Sequence, residues 1–557
     1  MPGGTIVPLL LSTDKTQVTT FRNKSAYPVY LTIGNIPKEI RRKPSCRAYV
    51  LLGYLPTTNL EHITNRAKRR RCLANLFHAA MDIITAPLQE AGTSGKVFFT
   101  GEGVSYRCHP LLACYICDYP EQVLVCCCKT GECPKCPIPR REVGEESENV
   151  YPFRDLEQIL DALSLIDDIP SFRQACKDAG IKPVFQPFWE KLPYSNIFRS
   201  ITPDILHQLY QGILKHLKSW IISAYGAIEI DARCRRLPPN HNIRVFMKGI
   251  STLTRVTGQE HEEMSRFLLG LIIDLPLPNG MDSRRLVACL RAFLDFLYLA
   301  RYPEHSEETL SDMQAALNSF HANKTIFVDL EIRDHFQLPK LESLNHFLAS
   351  IRDFGALDNC NTEYTERLHI DMAKDAYRAT NHKDEYPQMT LWLDRKEKIV
   401  RHDKFILWRF TGPTGNIPLL PSLQLSNRQL KMTKWPSTTV MLIDLPTLYG
   451  VPFFVAALTR YVAQFHNPTF DGRTLENAAY GVNIDFSCIF VFHRIKFICH
   501  DPIKNEHATV DAIHVQPSRR DRRGDNLPAR FDVALIETKS PPSSLRGIHF
   551  PDIHGQY

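Results

Sequence analysis

The chain opens on an apolar run, Ile6-Val7-Pro8-Leu9-Leu10-Leu11, that ends in Ser12-Thr13-Asp14. Two more short apolar runs, Tyr27 to Ile33 and Ala48 to Leu52, follow between turn residues. This pattern predicts three strands of a β-meander. The period then changes. Leu60, Ile63, Ala67, Leu73, Leu76, Phe77, Ala80 and Ile84 recur roughly at helical spacing and predict a helix over residues 60–90. A fourth strand, Leu111 to Cys117, closes on Asp118.

Three strands, a helix and a strand carrying a second Asp match the opening of an RNase H-like α/β core, expected over residues 1–140. From about 155 to 330 the pattern is helical, as in Ile201 to Ala224 and Ser283 to Ala300. Residues 141–335 are therefore expected to form a large α-helical insertion, with 336–400 supplying the last catalytic helix. A linker over 401–434 should lead to a β-rich C-terminal domain over 435–540, marked by runs such as Thr438 to Ile443 and Phe531 to Ile536. A Pro- and Gly-bearing tail, 541–557, follows.

Bulk properties narrow the class without fixing it. Hydrophobic residues make up 44% and charged residues 23% of 557 positions, as in ordinary globular proteins. A net charge of +7 permits a polyanionic partner without requiring one. No apolar run approaches the roughly 18 residues that cross a bilayer, so no membrane partner is expected. Nor is there a secretory signal, which predicts an intracellular chain with reduced thiols. Eight of the 16 cysteines fall between positions 108 and 136, and such clustering favours metal ligation over disulfides.

Candidate chemistry follows from these positions. A strand that ends in a carboxylate places that charge at the sheet rim. Asp14, Asp118 and one acidic residue from the helix near 362–379 would make a three-carboxylate site able to hold two divalent metals. Glu363 and Glu366 both lie there, with His369 one turn beyond Glu366. Cys133-Pro134-Lys135-Cys136 has the spacing with which two thiolates grip one zinc. Glu342 and His346, at i and i+4, are candidates for the other half. Asp204, in Asp204-Ile205-Leu206-His207, is expected to cap a helix. The basic runs Arg66 to Arg71 and Arg519 to Arg523 suit phosphate contact, nuclear import or simple solvation. No Walker-type phosphate loop and no Gly-x-Ser-x-Gly is present, so nucleotide hydrolysis and acyl transfer lack support.

The order Ser12-Thr13-Asp14-Lys15-Thr16-Gln17, Ile33-Gly34-Asn35-Ile36-Pro37, Asp118-Tyr119-Pro120-Glu121-Gln122, Glu132-Cys133-Pro134-Lys135-Cys136, Asp204-Ile205-Leu206-His207 and Thr365-Glu366-Arg367-Leu368-His369 resembles the fungal Plavaka-type transposases of the CACTA (En/Spm-like) group. The resemblance implies a DNA transposase with Asp14, Asp118 and Glu366 as its triad, Glu363 being the runner-up. It implies Mg²⁺ or Mn²⁺ on those carboxylates and structural Zn²⁺ on Cys133, Cys136, His346 and Glu342. Glu342 stands where the related V(D)J recombinase has a histidine, and His335 is a substitute ligand. Double-stranded DNA (transposon ends and target), a homo-oligomer on DNA and the nucleus are the implied partners and location. The expected N-terminal zinc-finger region is missing, which suggests a truncated copy. The alternatives are a catalytically inactive, transposon-derived DNA-binding or scaffold protein and a metal-dependent nuclease without strand transfer.

Overall fold

The computed structural model describes residues 3–19, 24–43, 46–99, 103–145, 151–238, 243–411 and 429–531, apart from 245, 255, 434, 500–508, 521–523, 525 and 528. The chain is mixed α/β and divides into two compact units. The first comprises residues 1–231 and 251–416, and the second 232–250 and 417–557. Among the described residues no helix is long and apolar enough to cross a membrane.

The first unit is built on a five-stranded mixed sheet. Its strands are β1 (Thr5–Thr13), β2 (Pro28–Ile33), β3 (Val50–Tyr54), β4 (Lys96–Phe99) and β5 (Ser105–Ile116), in the spatial order β3-β2-β1-β5-β4. β1, β2 and β3 form the expected antiparallel meander. β5 lies parallel to β1, and β4 pairs antiparallel with β5 at the edge. The strand leading to Asp118 is thus the fifth; the short β4, exposed along its length, lacks an alternating pattern that would announce it.

A parallel neighbour to β1 requires a crossover, and α1 (Arg66–Thr85) supplies it. Asn65 caps this helix by accepting from the Lys68 N–H, so it starts at 66 rather than 60. Pro87 opens a separate helix, Pro87–Ser94, instead of continuing α1. The buried stripe is Ala74, Phe77, His78, Met81 and Thr85, rotated about one position from the stripe read in the sequence. It packs with Leu11, Leu112, Tyr115 and Phe188 in the main core.

The described residues of 155–231 and 251–335 are mainly helical and share one compact unit with the sheet. The helix Glu385–Thr411 runs through the first part of the segment expected to be a linker. In the second unit, short strands alternate with the helices Phe454–His466 and Gly472–Tyr480, so this region is not purely β. Residues 412–428 and 532–557, which hold the rest of that linker, most of the strand to Ile536 and the tail, lie outside the described residues.

Candidate metal-dependent active site

The pairing of β1 with β5 sets the site. Ser12 stands opposite Ile116 in the parallel register. Asp14 and Asp118 each follow two residues later, so both leave the carboxyl ends of adjacent strands at the same level. Ligands of open α/β sheets bind at that edge. Asp118 also caps α2 (Tyr119–Val125), accepting from the Glu121 N–H at 3.1 Å. Burial raises the Asp118 pKa, as do the charges of Asp14 and Asp204, while the Glu121 N–H and His207 oppose the rise. The charge of Asp14 thus disfavours ionisation of Asp118.

The third candidate arrives on α3 (Thr362–His369), which buries Leu368 against Tyr30 and Tyr49. His369 Nε2 lies 3.1 Å from Asp14 Oδ2, and its Nδ1 lies 3.0 Å from Tyr30 Oη. A carboxylate only accepts, so Nε2 carries a proton. Glu366 Oε1 sits 3.0 Å from His207 Nε2. His207 Nδ1 is in turn 2.6 Å from Oδ2 of the fully buried Asp204, whose Oδ1 accepts from Thr362 Oγ1 at 2.7 Å. With a carboxylate on each ring nitrogen, His207 is an imidazolium. Burial opposes that charge, but Asp204 and Glu366 outweigh it and push its pKa up to about 11. Glu363 turns elsewhere; Arg301 and Glu262 are its strongest charged neighbours.

Asp204 does cap its helix, accepting from the Leu206 N–H at 3.0 Å. The helix it starts, Ile205–Leu214, is a π-helix, and such turns are frequent at functional sites. Capping alone misses the second role of Asp204, which is to orient His207. Sequence reasoning also passed over Glu121. This buried carboxyl accepts from Thr13 Oγ1 and Tyr27 Oη, and Thr13 Oγ1 lies 2.9 Å from Tyr115 Oη. Burial raises its pKa to about 8 against those two hydrogen bonds, so the group is neutral at pH 7. The signal was its place three residues after Asp118, one turn into α2.

The Cys-x-x-Cys lies apart from these carboxylates. Among the described residues, Cys133, Cys136 and His346 are the metal-capable group with ligand atoms all within 4.8 Å of one another. Cys133 Sγ is 3.2 Å from His346 Nε2, and Cys136 Sγ is 3.9 Å from Glu342 Oε1. The Lys135 N–H points to Cys133 Sγ at 3.4 Å, and Arg154 donates twice to the Cys133 carbonyl, which fixes the turn. Burial opposes ionisation of Cys133, yet hydrogen bonds from Cys136 and His346 hold its thiol well below the ordinary value. Glu342 Oε2 accepts from the Gly144 N–H at 3.1 Å. Gly144 has φ +76°, and a Cβ there would meet the Phe336 carbonyl at 2.4 Å, so glycine is needed for that approach. His335 is exposed, and its Nδ1 faces the Gln337 N–H in its own loop.

Compared with known families, the chain resembles in part the transposases of mobile elements. The family model described as Plavaka transposase matches residues 1–221, and over that stretch the chain is similar to the Plavaka-type transposases. The match takes in Asp14, Asp118, Glu121, Cys133, Cys136 and His207, and stops short of His346 and Glu366. No curated protein matches the chain.

Proposed function

We propose that the protein cuts DNA and joins the cut ends to a target, using Asp14, Asp118 and Glu366 as a metal-binding triad on an RNase H-like core. The observation that carries this is the equal register of Asp14 and Asp118 at the ends of two parallel strands. A β3-β2-β1 meander with a parallel strand beside β1 supports the RNase H-like assignment.

The donor sets fit two kinds of ion. Asp14, Asp118 and Glu366 offer hard oxygens suited to Mg²⁺ or Mn²⁺, and the repulsion felt by Asp118 is what a divalent cation relieves. When bound, such ions lower the pKa of an attacking water or 3′-hydroxyl and stabilise the leaving 3′-oxygen. The chain's own work is positional. His369 orients Asp14, and the Asp204–His207 pair orients Glu366. Two buried thiols, an imidazole and the Glu342 carboxylate fit a structural Zn²⁺. This would tie residues 133–136 to the segment leading towards α3.

Double-stranded DNA, both transposon ends and target, is the substrate in this reading. A homo-oligomer on that DNA and a nuclear location go with it, as does membership of the CACTA group. The test is plasmid nicking in Mg²⁺ with an EDTA control, on wild type and on Asp14→Asn, Asp118→Asn and Glu366→Gln. Each substitution should abolish nicking and leave DNA binding in place. Wild type without EDTA-sensitive nicking would leave an inert DNA-binding or scaffold protein. Nicking without joining of a pre-cut end would leave a nuclease.

A further inference from the structure

The strand that leads to Asp118 meets the approach to α3 through two sulfurs. Cys114 and Cys360 lie with their Sγ atoms 3.8 Å apart, both buried, in a small core with Leu10, Ile116 and Phe354. Cys114 stands on β5 opposite Leu10 of β1. Cys360 closes the short 3₁₀ turn Leu357–Cys360, and the next residue, Asn361, caps α3 by accepting from the Glu363 N–H at 3.1 Å. The turn is pinned from the side. Asp358 Oδ2 accepts from Arg42 Nη1 at 2.6 Å, and Arg41 Nη2 donates to Asn359 Oδ1 at 2.8 Å. Two thiols from distant parts of the chain are thus held in contact. Cys360 and burial hold the Cys114 thiol well up, and the Arg41 and Lys135 cations oppose them. A cation beside a thiol favours the thiolate, which is the form that attacks.

We propose that Cys114 and Cys360 are a modification site, at which hydrogen peroxide forms a disulfide that fastens α3 to β5. One sulfur attacks a peroxide oxygen; the O–O bond breaks, a sulfenic acid forms and one water leaves. The second sulfur then attacks the first. The S–S bond forms, the S–O bond breaks, and the hydroxide departs with the remaining thiol proton as a second water. The peroxide takes up the two electrons that the sulfurs lose. The sulfurs must close from 3.8 Å to the roughly 2.05 Å of an S–S bond, and side-chain rotation within the pinned turn supplies that approach. Burial of both residues admits a water-sized oxidant in preference to a bulky one. The inference concerns the helix that carries Glu366, and it stands whether or not the triad cuts DNA.

The test treats the full chain with hydrogen peroxide, blocks the remaining thiols, and reads the digest by mass spectrometry. The expected product is a peptide pair joined through Cys114 and Cys360, lighter by two hydrogens and separated by dithiothreitol. Native-state hydrogen exchange should slow about tenfold across α3 in the oxidised chain, because the helix can no longer lift from β5. Cys360→Ala should form no such peptide and show no peroxide-dependent slowing. The wild-type crosslink decides the matter even if that variant fails to fold. Buried thiols that merely pack as small apolar groups would give no crosslink, which overturns the proposal. Joining of either residue to a different cysteine overturns it too, as does α3 exchange that the crosslink leaves unchanged.

Discussion

His207 Nε2 meets Glu366 Oε1 at 3.0 Å, so a residue about 160 positions earlier holds the third acidic group of the site. Because Asp204 grips the other ring nitrogen, the imidazole cannot rotate away without taking the partner from the buried Asp204 Oδ2.

That arrangement makes His207 a positioning residue for Glu366. His207→Ala should lower nicking about 10- to 100-fold, the usual effect of removing a group that orients a metal-binding side chain. Asp204→Asn should cost less, since an amide still accepts from one ring nitrogen. A Mg²⁺ titration of plasmid nicking reads both, and the required Mg²⁺ concentration should rise in each variant. Unaltered Mg²⁺ dependence in His207→Ala would remove the residue from this role.

Glu121 is a neutral carboxyl clamp between β1, Tyr27 and α2, so its shape matters more than its charge. Glu121→Gln keeps an acceptor for Thr13 and Tyr27 and should retain most nicking. Glu121→Ala leaves the Tyr27 hydroxyl without its acceptor, which costs roughly 1–3 kcal/mol, while Thr13 keeps Tyr115 as a partner. Its activity should fall at least tenfold. Denaturant unfolding beside the nicking assay checks both, and equal behaviour of the two variants would show that the carboxyl clamps nothing.

The strands and the two Asp residues were legible because strand ends are local: apolar runs stopping at Asp14 and Asp118 need no knowledge of the rest of the chain. Parallel pairing of β1 with β5, which sets the carboxylates level, is a long-range fact that no local pattern carries. The same holds for Asp204 and His207. Their capping function is written in three residues, whereas contact with Glu366 depends on how a distant helix docks on Tyr30 and Tyr49. Cys133 and Cys136 were legible from spacing, and Glu342 rather than His335 lies beside them because Glu342 turns inward to accept from the Gly144 N–H, whereas His335 is exposed and faces the Gln337 N–H. The stripe of α1 was misplaced because its apolar residues are numerous enough to suggest neighbouring faces.

The Cys/His cluster predicts a metal that can be counted. The purified chain should carry about one zinc by elemental analysis, and Cys133→Ser should lose it together with more than about 4 °C of melting temperature. Glu342→His replaces a carboxylate by a better zinc ligand and should raise resistance to chelators, while Glu342→Ala should lower it. Full zinc content in Cys133→Ser would rule the site out.

His78 gives a pH dependence that involves neither candidate metal site. Its Nε2 faces the Leu124 carbonyl at 3.0 Å, its ring stacks on Phe188, and Nδ1 has no hydrogen-bond partner among the described residues. A second proton would bury an N–H with no acceptor, and burial lowers the pKa to about 4 from 6.5. The unfolded chain takes up that proton first as pH falls. Stability is therefore fully present above pH 6.5 and is lost between 6.5 and 4, by up to roughly 3 kcal/mol. His78→Gln can keep the bond to Leu124 without titrating. Denaturant midpoints at pH 7.5, 5.5 and 4.5 should fall more steeply for wild type than for this variant, and parallel slopes would show that His78 is not the group responsible.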